Sequence, residues 1–200
     1  MEKKSLLESF SPAEQFIYQK LKKEVSASLY YHGVHHTLDV LEAALKIAEA
    51  EKITKEELRL LRIGALYHDA GFITIYKNHE ERGCEMAHEF LPSFGFTTPE
   101  IKVICKMIMA TKLPQNAHSK LEKIICDADL DYLGREDFYQ TAETLFSELK
   151  KHSYVKDKEE WNEIQKSFLQ KHTYYTSYSR ENREPQKQIF LKEISGNNKS

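Results

Sequence analysis

Histidine and aspartate residues at three separated places in this chain have the types and the order of a metal site. His36 comes first, the adjacent pair His68-Asp69 follows, and Asp129 comes last. Imidazole nitrogens and carboxylate oxygens suit divalent metals such as Zn, Fe, Mn and Mg. A lone His-Asp pair is weak evidence because it occurs by chance in many chains, whereas the ordered set is much more specific. We therefore predict that these four residues bind a divalent metal.

The segments that carry these residues have the apolar spacing of helices. A helix that begins near Gly33 carries His36 on its apolar stripe. A capping box at residues 54–57 opens another helix, and His68 lies on the apolar face of that helix. Both imidazoles are therefore expected to point toward the interior.

The whole chain is predicted to be one all-α domain, a single compact helical fold whose metal ligands project inward from several helices. Seven Gly and five Pro in 200 residues favour long helices with few turns. We expect an N-terminal helical segment at residues 1–30 and a metal-binding core at 31–133. C-terminal helices at 134–195 should pack on the core, and residues 196–200 should form a frayed tail. The predicted helices span residues 11–28, 33 onward, 54–71, 79–91, 101–111, 118–132, 135–152, 157–171 and 177–195.

Composition excludes several kinds of partner. The 29 basic and 31 acidic residues give a net charge of −2, so no protein-wide field favours nucleic acid or an anionic membrane. Residues 1–30 lack the apolar core of a signal peptide, and no window reaches 18 apolar residues. The three cysteines form no CxxC pair and are interpreted as reduced thiols. We expect a cytoplasmic protein with a small-molecule partner, and the sequence leaves its oligomeric state open.

The stretch from Tyr31 to Asp129 resembles the HD-domain superfamily of metal-dependent phosphohydrolases. Its beginning, YHGVHHTLDV, is similar to the YHNxxHxxDV stretch of cyclic-nucleotide phosphodiesterases, with Gly33 in place of Asn, and its end, CDADL, looks like the family's terminal ADL. The resemblance implies one or two divalent ions (Mn, Fe, Mg, Zn, Co or Ni) on His36, His68, Asp69 and Asp129. Asp127, roughly 200° around the helix from Asp129, is then a supporting or structural group.

The resemblance also implies roles in catalysis. The metal would activate a water for attack on phosphorus, and Asp69 would bridge the ions if two are bound. In the phosphodiesterase-like members the equivalent of His32 protonates the leaving oxygen, so the resemblance implies that role here. The alternative is that His32 is only a histidine at the start of a helix.

Three further residues are weaker candidates. His79 follows the His-Asp pair, as an additional ligand does in two-metal HD proteins, but it also fits the plain start of a helix. Lys112 and Arg135 follow two of the helices and are candidate phosphate contacts, and solvated surface charge is the alternative for both.

The expected activity is hydrolysis of a phosphate ester or anhydride, most often of a nucleotide. The continuation His68-Asp69-Ala70-Gly71-Phe72-Ile73 lacks the acids of the HDxxED pattern in guanosine tetraphosphate hydrolases. It also lacks the second histidine of the HDxxH form in cyclic-nucleotide phosphodiesterases, and no GYP follows. Two alternatives stay open: an HD-type nucleotide-sensing module with little turnover, and a di-iron HD oxygenase, which needs six ligands and is disfavoured because a fourth histidine is missing.

Overall fold

The computed structural model describes residues 3–196 and confirms an all-α fold. No β-strand occurs in that range. Short 3₁₀ helices at Ala70–Ile73, Leu91–Phe94 and Asp131–Gly134 connect some of the α-helices. The α-helices of the described residues are Lys3–Glu8 (α1), Pro12–Glu24 (α2), Val34–Ala50 (α3), Lys55–Tyr67 (α4), His79–Phe90 (α5), Thr98–Thr111 (α6), Lys120–Asp129 (α7), Phe138–Lys151 (α8), Lys158–Lys171 (α9), Ser177–Asn182 (α10) and Glu184–Gly196 (α11).

Capping boxes fix the beginnings of two helices as predicted. At the start of α2, the Ser11 amide donates to the Glu14 carboxylate at 2.6 Å, and the Glu14 amide donates to the Ser11 hydroxyl. Thr54 and Glu57 make the same reciprocal pair before α4. These bonds satisfy amide groups that have no partner within the helix, so both starts are specified locally.

The main core lies among α3, α4, α6 and α7, and α5 packs on α6. Its centre is filled by fully buried aliphatic side chains from these helices, among them Leu41, Ile47, Leu61, Leu66, Ile104, Ile108, Ile124 and Ile125. The three helices α3, α4 and α7 also carry the four predicted ligands at or just after their ends. Apolar packing therefore determines how these ligands approach one another.

Gly71 lets the turn after α4 lie directly against the start of α5. A Cβ at Gly71 would come within 1.9 Å of the His79 carbonyl oxygen, which no side chain can tolerate. This backbone contact brings His79 close to the His68-Asp69 pair, although the three residues are separated by a loop in the sequence.

The C-terminal helices pack around a second apolar cluster. Its members come from the 3₁₀ turn after α7, from α8, α9 and α11, and from Tyr31 before α3. Asp127 lies on the opposite face of α7 from Asp129 and binds the segment that precedes α10. Its carboxylate accepts the amides of Tyr175 and Thr176 at 2.8 Å each and the Thr176 hydroxyl at 2.6 Å.

Several predicted helix ends are wrong for local reasons. α2 ends at Glu24 because Val25 adopts an extended backbone. α4 ends at Tyr67 and not at Gly71, since the His68 ring donates from Nδ1 to the Ala65 carbonyl oxygen at 2.8 Å. The segment 118–132 divides into α7 and a 3₁₀ turn, and 177–195 divides into α10 and α11. Helix α1 has no counterpart among the predicted helices.

The predicted frayed tail at 196–200 lies outside the described residues after Gly196. Within residues 3–196, none of the helices combines the length and the apolar character needed to cross a membrane.

Candidate metal centre

His36, His68, Asp69 and Asp129 converge at one buried point. His36 Nε2 lies 3.1 Å from an oxygen of Asp129 and 3.5 Å from Oδ2 of Asp69. His68 Nε2 lies 3.3 Å from the same Asp69 oxygen and 3.6 Å from the Asp129 oxygen. The centroids of the two imidazole rings are 5.4 Å apart. The structure therefore brings together the four residues that the sequence assigned to one ion.

The local fold presents the Nε2 atoms of both histidines to this point. The Nδ1 atom of His68 is already used on the Ala65 carbonyl, so Nε2 faces the two carboxylates. His36 is held by the Tyr31 ring, whose centroid lies 4.5 Å from that of the imidazole. A metal-binding histidine is oriented in the same way, with its second nitrogen on a carbonyl or carboxylate.

Two polar atoms at the centre are buried without a hydrogen-bond partner. They are Nε2 of the fully buried His68 and Oδ2 of Asp69. Burying such atoms unpaired costs free energy, and native structures rarely leave them so. One ligand atom each from His36, His68 and Asp69 lies within 4.8 Å of the others. A divalent metal would satisfy both orphaned atoms, so the residues present fit that ion.

The charges at the centre favour a cation. Burial opposes ionisation of Asp129, but His36 and His68 lower the pKa of Asp129 to about 2. Burial also opposes ionisation of Asp69, yet His68 and His79 hold the pKa of Asp69 well below its usual range. Burial disfavours the charged form of His68, and the two carboxylates nevertheless raise the pKa of His68 well above its ordinary value. The carboxylates thus require a nearby positive charge, which a divalent metal would supply.

His79 faces the second oxygen of Asp69. Its Nε2 lies 3.4 Å from Asp69 Oδ1, whereas Oδ2 of the same carboxylate faces His36 and His68. An oxygen of the buried Glu80 lies 3.5 Å from His79 Nε2. One oxygen of Asp69 therefore faces His36 and His68, and the other faces His79. Glu80 was not predicted as a site residue, because an acid in the first turn of a helix usually only complements the helix dipole.

His32 lies beside the cluster and is held by a residue from the C-terminal helices. Its Nδ1 is 2.5 Å from an oxygen of Glu148, a fully buried glutamate on α8. The other oxygen of Glu148 accepts the backbone amides of Tyr31 and His32 at 2.8 and 3.0 Å. Tyr76 donates its hydroxyl to Glu148 at 2.9 Å. The Nε2 atom of His32 is therefore the nitrogen left for chemistry.

Glu148 was not predicted as a site residue, although the sequence around it contains a signal. It follows Leu145 by three positions on a helix whose buried residues include Phe138, Ala142 and Phe146. A glutamate on the apolar face of a helix needs a polar partner inside the protein. Burial opposes its ionisation, but His32 and the two amides lower the pKa of Glu148 below the usual range.

A cavity of about 390 Å³ opens over these groups. His32, Asp69, His79 and Asp129 line it together with Lys112, among other residues. Lys112 forms an ion pair with Glu81 and also contacts the Asn78 side chain. The predicted phosphate contact at Lys112 therefore lies at the cavity, but its ammonium already has a carboxylate partner.

Arg135 is not brought to this cavity. It lines a separate polar cleft, where its guanidinium binds Asp137 at 2.5 Å and lies 3.8 Å from Asp39 and Asp131. These carboxylates account for the charge of Arg135. Although Arg135 follows α7 in sequence, the 3₁₀ turn leads the chain away from the end of that helix.

Comparison with known proteins agrees with this geometry. The family model described as the HD domain matches residues 33–131. A crystal structure of a predicted HD superfamily hydrolase from an uncultured Thermotogales bacterium has the same fold, with a TM-score of 0.66 and 24% sequence identity. The alignment covers 98% of this chain and 96% of that one. No curated protein matches the sequence. The matched segment contains the four central residues and His79, whereas His32 and Glu148 lie outside it.

Proposed function

The chain belongs to the HD-domain superfamily, and we propose that it is a metal-dependent phosphohydrolase that cleaves a phosphate ester or anhydride of a small molecule, with a nucleotide as the expected substrate class. The observation that carries this proposal is the buried centre in which His68 Nε2 and Asp69 Oδ2 have no hydrogen-bond partner. His36, His68, Asp69 and Asp129 would hold the ion. A divalent metal in that position acidifies a bound water and offsets negative charge on phosphoryl oxygens.

His32 is the proposed general acid. Its Nδ1 is bound to Glu148, and its ring stacks on Phe72 with centroids 4.4 Å apart, so its orientation is fixed from two sides. The free Nε2 belongs to a residue that lines the cavity with Asp69 and Asp129. As water oxygen bonds to phosphorus and the bond to the leaving oxygen breaks, His32 transfers its Nε2 proton to that leaving oxygen. Glu148 keeps the ring in place and compensates its charge.

His79 and Glu80 support the proposal of a second ion. Asp69 turns Oδ2 toward His36 and His68 and Oδ1 toward His79, so its carboxylate would supply one oxygen to each of two ions. His79 would be the main ligand of the second ion, and the buried Glu80 would supply a further oxygen.

A cytoplasmic location is part of the same proposal. Cys84, Cys105 and Cys126 are all free thiols, which is the usual state in a reducing compartment. The small size of the cavity supports a small-molecule partner rather than a polymer.

The test combines metal analysis with turnover. The purified protein is loaded with Mn or Co, its metal content is measured, and phosphate release is followed on a panel of phosphomonoesters, diesters and nucleotides. His68→Ala, Asp69→Ala and Asp129→Ala should each lose metal and activity, because each removes a ligand from a buried site. His88→Ala is the control, since His88 is an exposed histidine on α5.

Three outcomes would contradict the proposal. Metal binding without turnover on any phosphorylated substrate would favour the sensing module. Iron-dependent oxygen uptake would favour the oxygenase. Equal activity in the His68→Ala variant and the wild type would remove the metal centre from the mechanism altogether.

A further inference from the structure

Two of the three cysteines face each other where α5 packs on α6. Cys84 lies on α5 and Cys105 lies on α6. The Cys84 thiol donates to the Cys105 carbonyl oxygen at 3.6 Å, and the Cys105 thiol donates to the Cys84 carbonyl oxygen at 3.8 Å. Reciprocal contacts of this kind require that the two backbones lie close together and that each side chain is directed at the opposite residue. A disulfide needs the same arrangement, since its Cα atoms are usually about 4.4–6.8 Å apart.

Gly83 allows the helices to come so close beside Cys84. A Cβ at Gly83 would lie 2.9 Å from the Tyr67 carbonyl oxygen at the end of α4 and 3.5 Å from the Ile108 side chain on α6. Because Gly83 has no side chain, α5 packs tightly against both helices at this level. The approach of Cys84 to Cys105 is therefore set by the packing of the folded core and not by a flexible loop.

The third cysteine lies in a different environment. Cys126 is fully buried on α7, and its thiol donates to the Ala110 carbonyl oxygen at 3.1 Å. Cys84 and Cys105 are only half-buried. Reaction of a thiol with a dissolved oxidant depends on its exposure and on its thiolate character. The two cysteines that face each other are therefore also the two that an oxidant can reach.

The two facing thiols are not equivalent. Contact with the Cys84 side chain lowers the pKa of Cys105, although burial acts in the opposite direction. The same contact and burial raise the pKa of Cys84 above its usual value. The thiolate is the reactive form of a cysteine, so Cys105 is the nucleophile of the pair and Cys84 is the thiol that responds second.

We propose that Cys84 and Cys105 form a reversible disulfide when the protein meets hydrogen peroxide. The Cys105 thiolate attacks one peroxide oxygen, so an S–O bond forms, the O–O bond breaks, and the departing hydroxide takes the proton that Cys105 released. The Cys84 sulfur then attacks the sulfenic sulfur of Cys105, the S–S bond forms, and the S–O bond breaks as hydroxide leaves with the Cys84 proton. The two sulfurs lose two electrons in total, and the peroxide is reduced to two water molecules.

The disulfide would close the chain between residues 84 and 105 and link α5 covalently to α6. Such a link reduces the freedom of the unfolded chain, so it should stabilise the fold that already holds the two sulfurs together. All three cysteines are free thiols. Disulfides in a reducing compartment are usually transient and linked to redox sensing, which agrees with a pair that is open at rest and closes under oxidation.

The experiment follows the thiols directly. The purified protein is treated with a small excess of hydrogen peroxide, and half of the sample is then reduced with dithiothreitol. The wild type should lose two of its three thiols and two hydrogen atoms in mass, and a proteolytic map without reductant should join the Cys84 peptide to the Cys105 peptide. Dithiothreitol should restore both thiols. Cys126→Ser, the matched control, should still form the bond, whereas Cys84→Ser and Cys105→Ser should form no disulfide within the chain.

A urea titration tests whether the bond fits the native packing. The oxidised wild type should unfold at a higher urea concentration than the reduced protein, and peroxide should not raise the midpoint in Cys84→Ser. A bond to Cys126, a covalent dimer as the main product, oxygen added to sulfur without a disulfide, or three thiols that survive peroxide would each overturn the proposal. A midpoint that falls on oxidation would overturn it as well, because the bond would then require distorted packing. None of these measurements uses turnover, so the proposed hydrolase activity can fail without affecting this result.

Discussion

Replacing Glu148 by glutamine removes one negative charge while almost preserving the shape of the side chain. In the wild type both oxygens accept hydrogen bonds, one from the amides of Tyr31 and His32 and the other from the His32 ring and the Tyr76 hydroxyl. A glutamine has one oxygen, and its amide nitrogen can only donate. With its oxygen turned to the Tyr31 and His32 amides, its NH₂ group can donate only to Nδ1 of an uncharged His32 ring, so the variant no longer accepts a hydrogen bond from that nitrogen or compensates a charge on the ring.

The size of the effect follows from the bond that is lost. Hydrogen bonds to a charged group contribute about 1.5–3 kcal/mol, and about 1.4 kcal/mol corresponds to a tenfold change in rate. If Glu148 stabilises the protonated His32 as the reaction's acid, Glu148→Gln should lower kcat by about 10- to 150-fold. This loss should stay below that of His32→Ala, for which roughly 10²- to 10⁴-fold is expected.

The assay compares leaving groups. A nitrophenyl phosphate releases an oxygen that needs no proton, so Glu148→Gln and His32→Ala should both show a smaller loss on it than on an alkyl phosphate. Metal content should stay at the wild-type value. In the double variant, Glu148→Gln should add little to His32→Ala, since the two residues act as one unit. Glu122→Gln is the control, because Glu122 is a buried glutamate that accepts backbone amides outside the cavity. Equal losses on both leaving groups, or additive losses in the double variant, would falsify this reasoning.

Three further predictions address other parts of the chain. Asp127→Ala should keep its metal but lower the free energy of unfolding by about 2–5 kcal/mol, because it leaves buried amides unpaired. A urea titration and a metal analysis check this prediction. Loss of metal comparable to that in Asp129→Ala would contradict it. His79→Ala should halve the metal per chain if two ions bind, and an unchanged ratio would argue against the second ion. Burial and Lys187 lower the pKa of His172 in the folded protein to about 4. As the pH falls below 6.5, His172 therefore becomes protonated in the unfolded chain while it is still neutral in the folded protein. Stability should therefore drop by up to about 2 kcal/mol between pH 7 and pH 5, and His172→Gln should show a flatter profile in the same titration; a profile as steep as that of the wild type would refute this.

The metal centre was predictable from the sequence because its residues lie on helices with clear signals. The capping box before α4 and the apolar face of that helix placed His68 inside, and the same stripe argument placed His36 inside. Hydrophobic periodicity is a short-range property, so it reports the face of a helix without knowledge of the partner helix.

The partners of the groups around the centre were not predictable, since they depend on contacts between distant parts of the chain. The bond between His32 and Glu148 joins residues more than one hundred positions apart, and no local pattern specifies that pairing. Glu80 looked like an ordinary acid at a helix start, and only the close approach at Gly71 brings its neighbour His79 to Asp69. Arg135 followed the metal helix in sequence, but the 3₁₀ turn leads it into another cleft.

The position of Glu148 has a consequence for how the protein is made. Ribosomes deliver a chain from its N-terminus, and domains generally begin to fold in that order. All four residues of the proposed metal centre precede Glu148 in the chain, so the residue that holds His32 is synthesised after every proposed ligand. On the proposed function, the ion ligands and the residue that orients the acid therefore emerge at different times, and the orientation of His32 depends on the docking of α8.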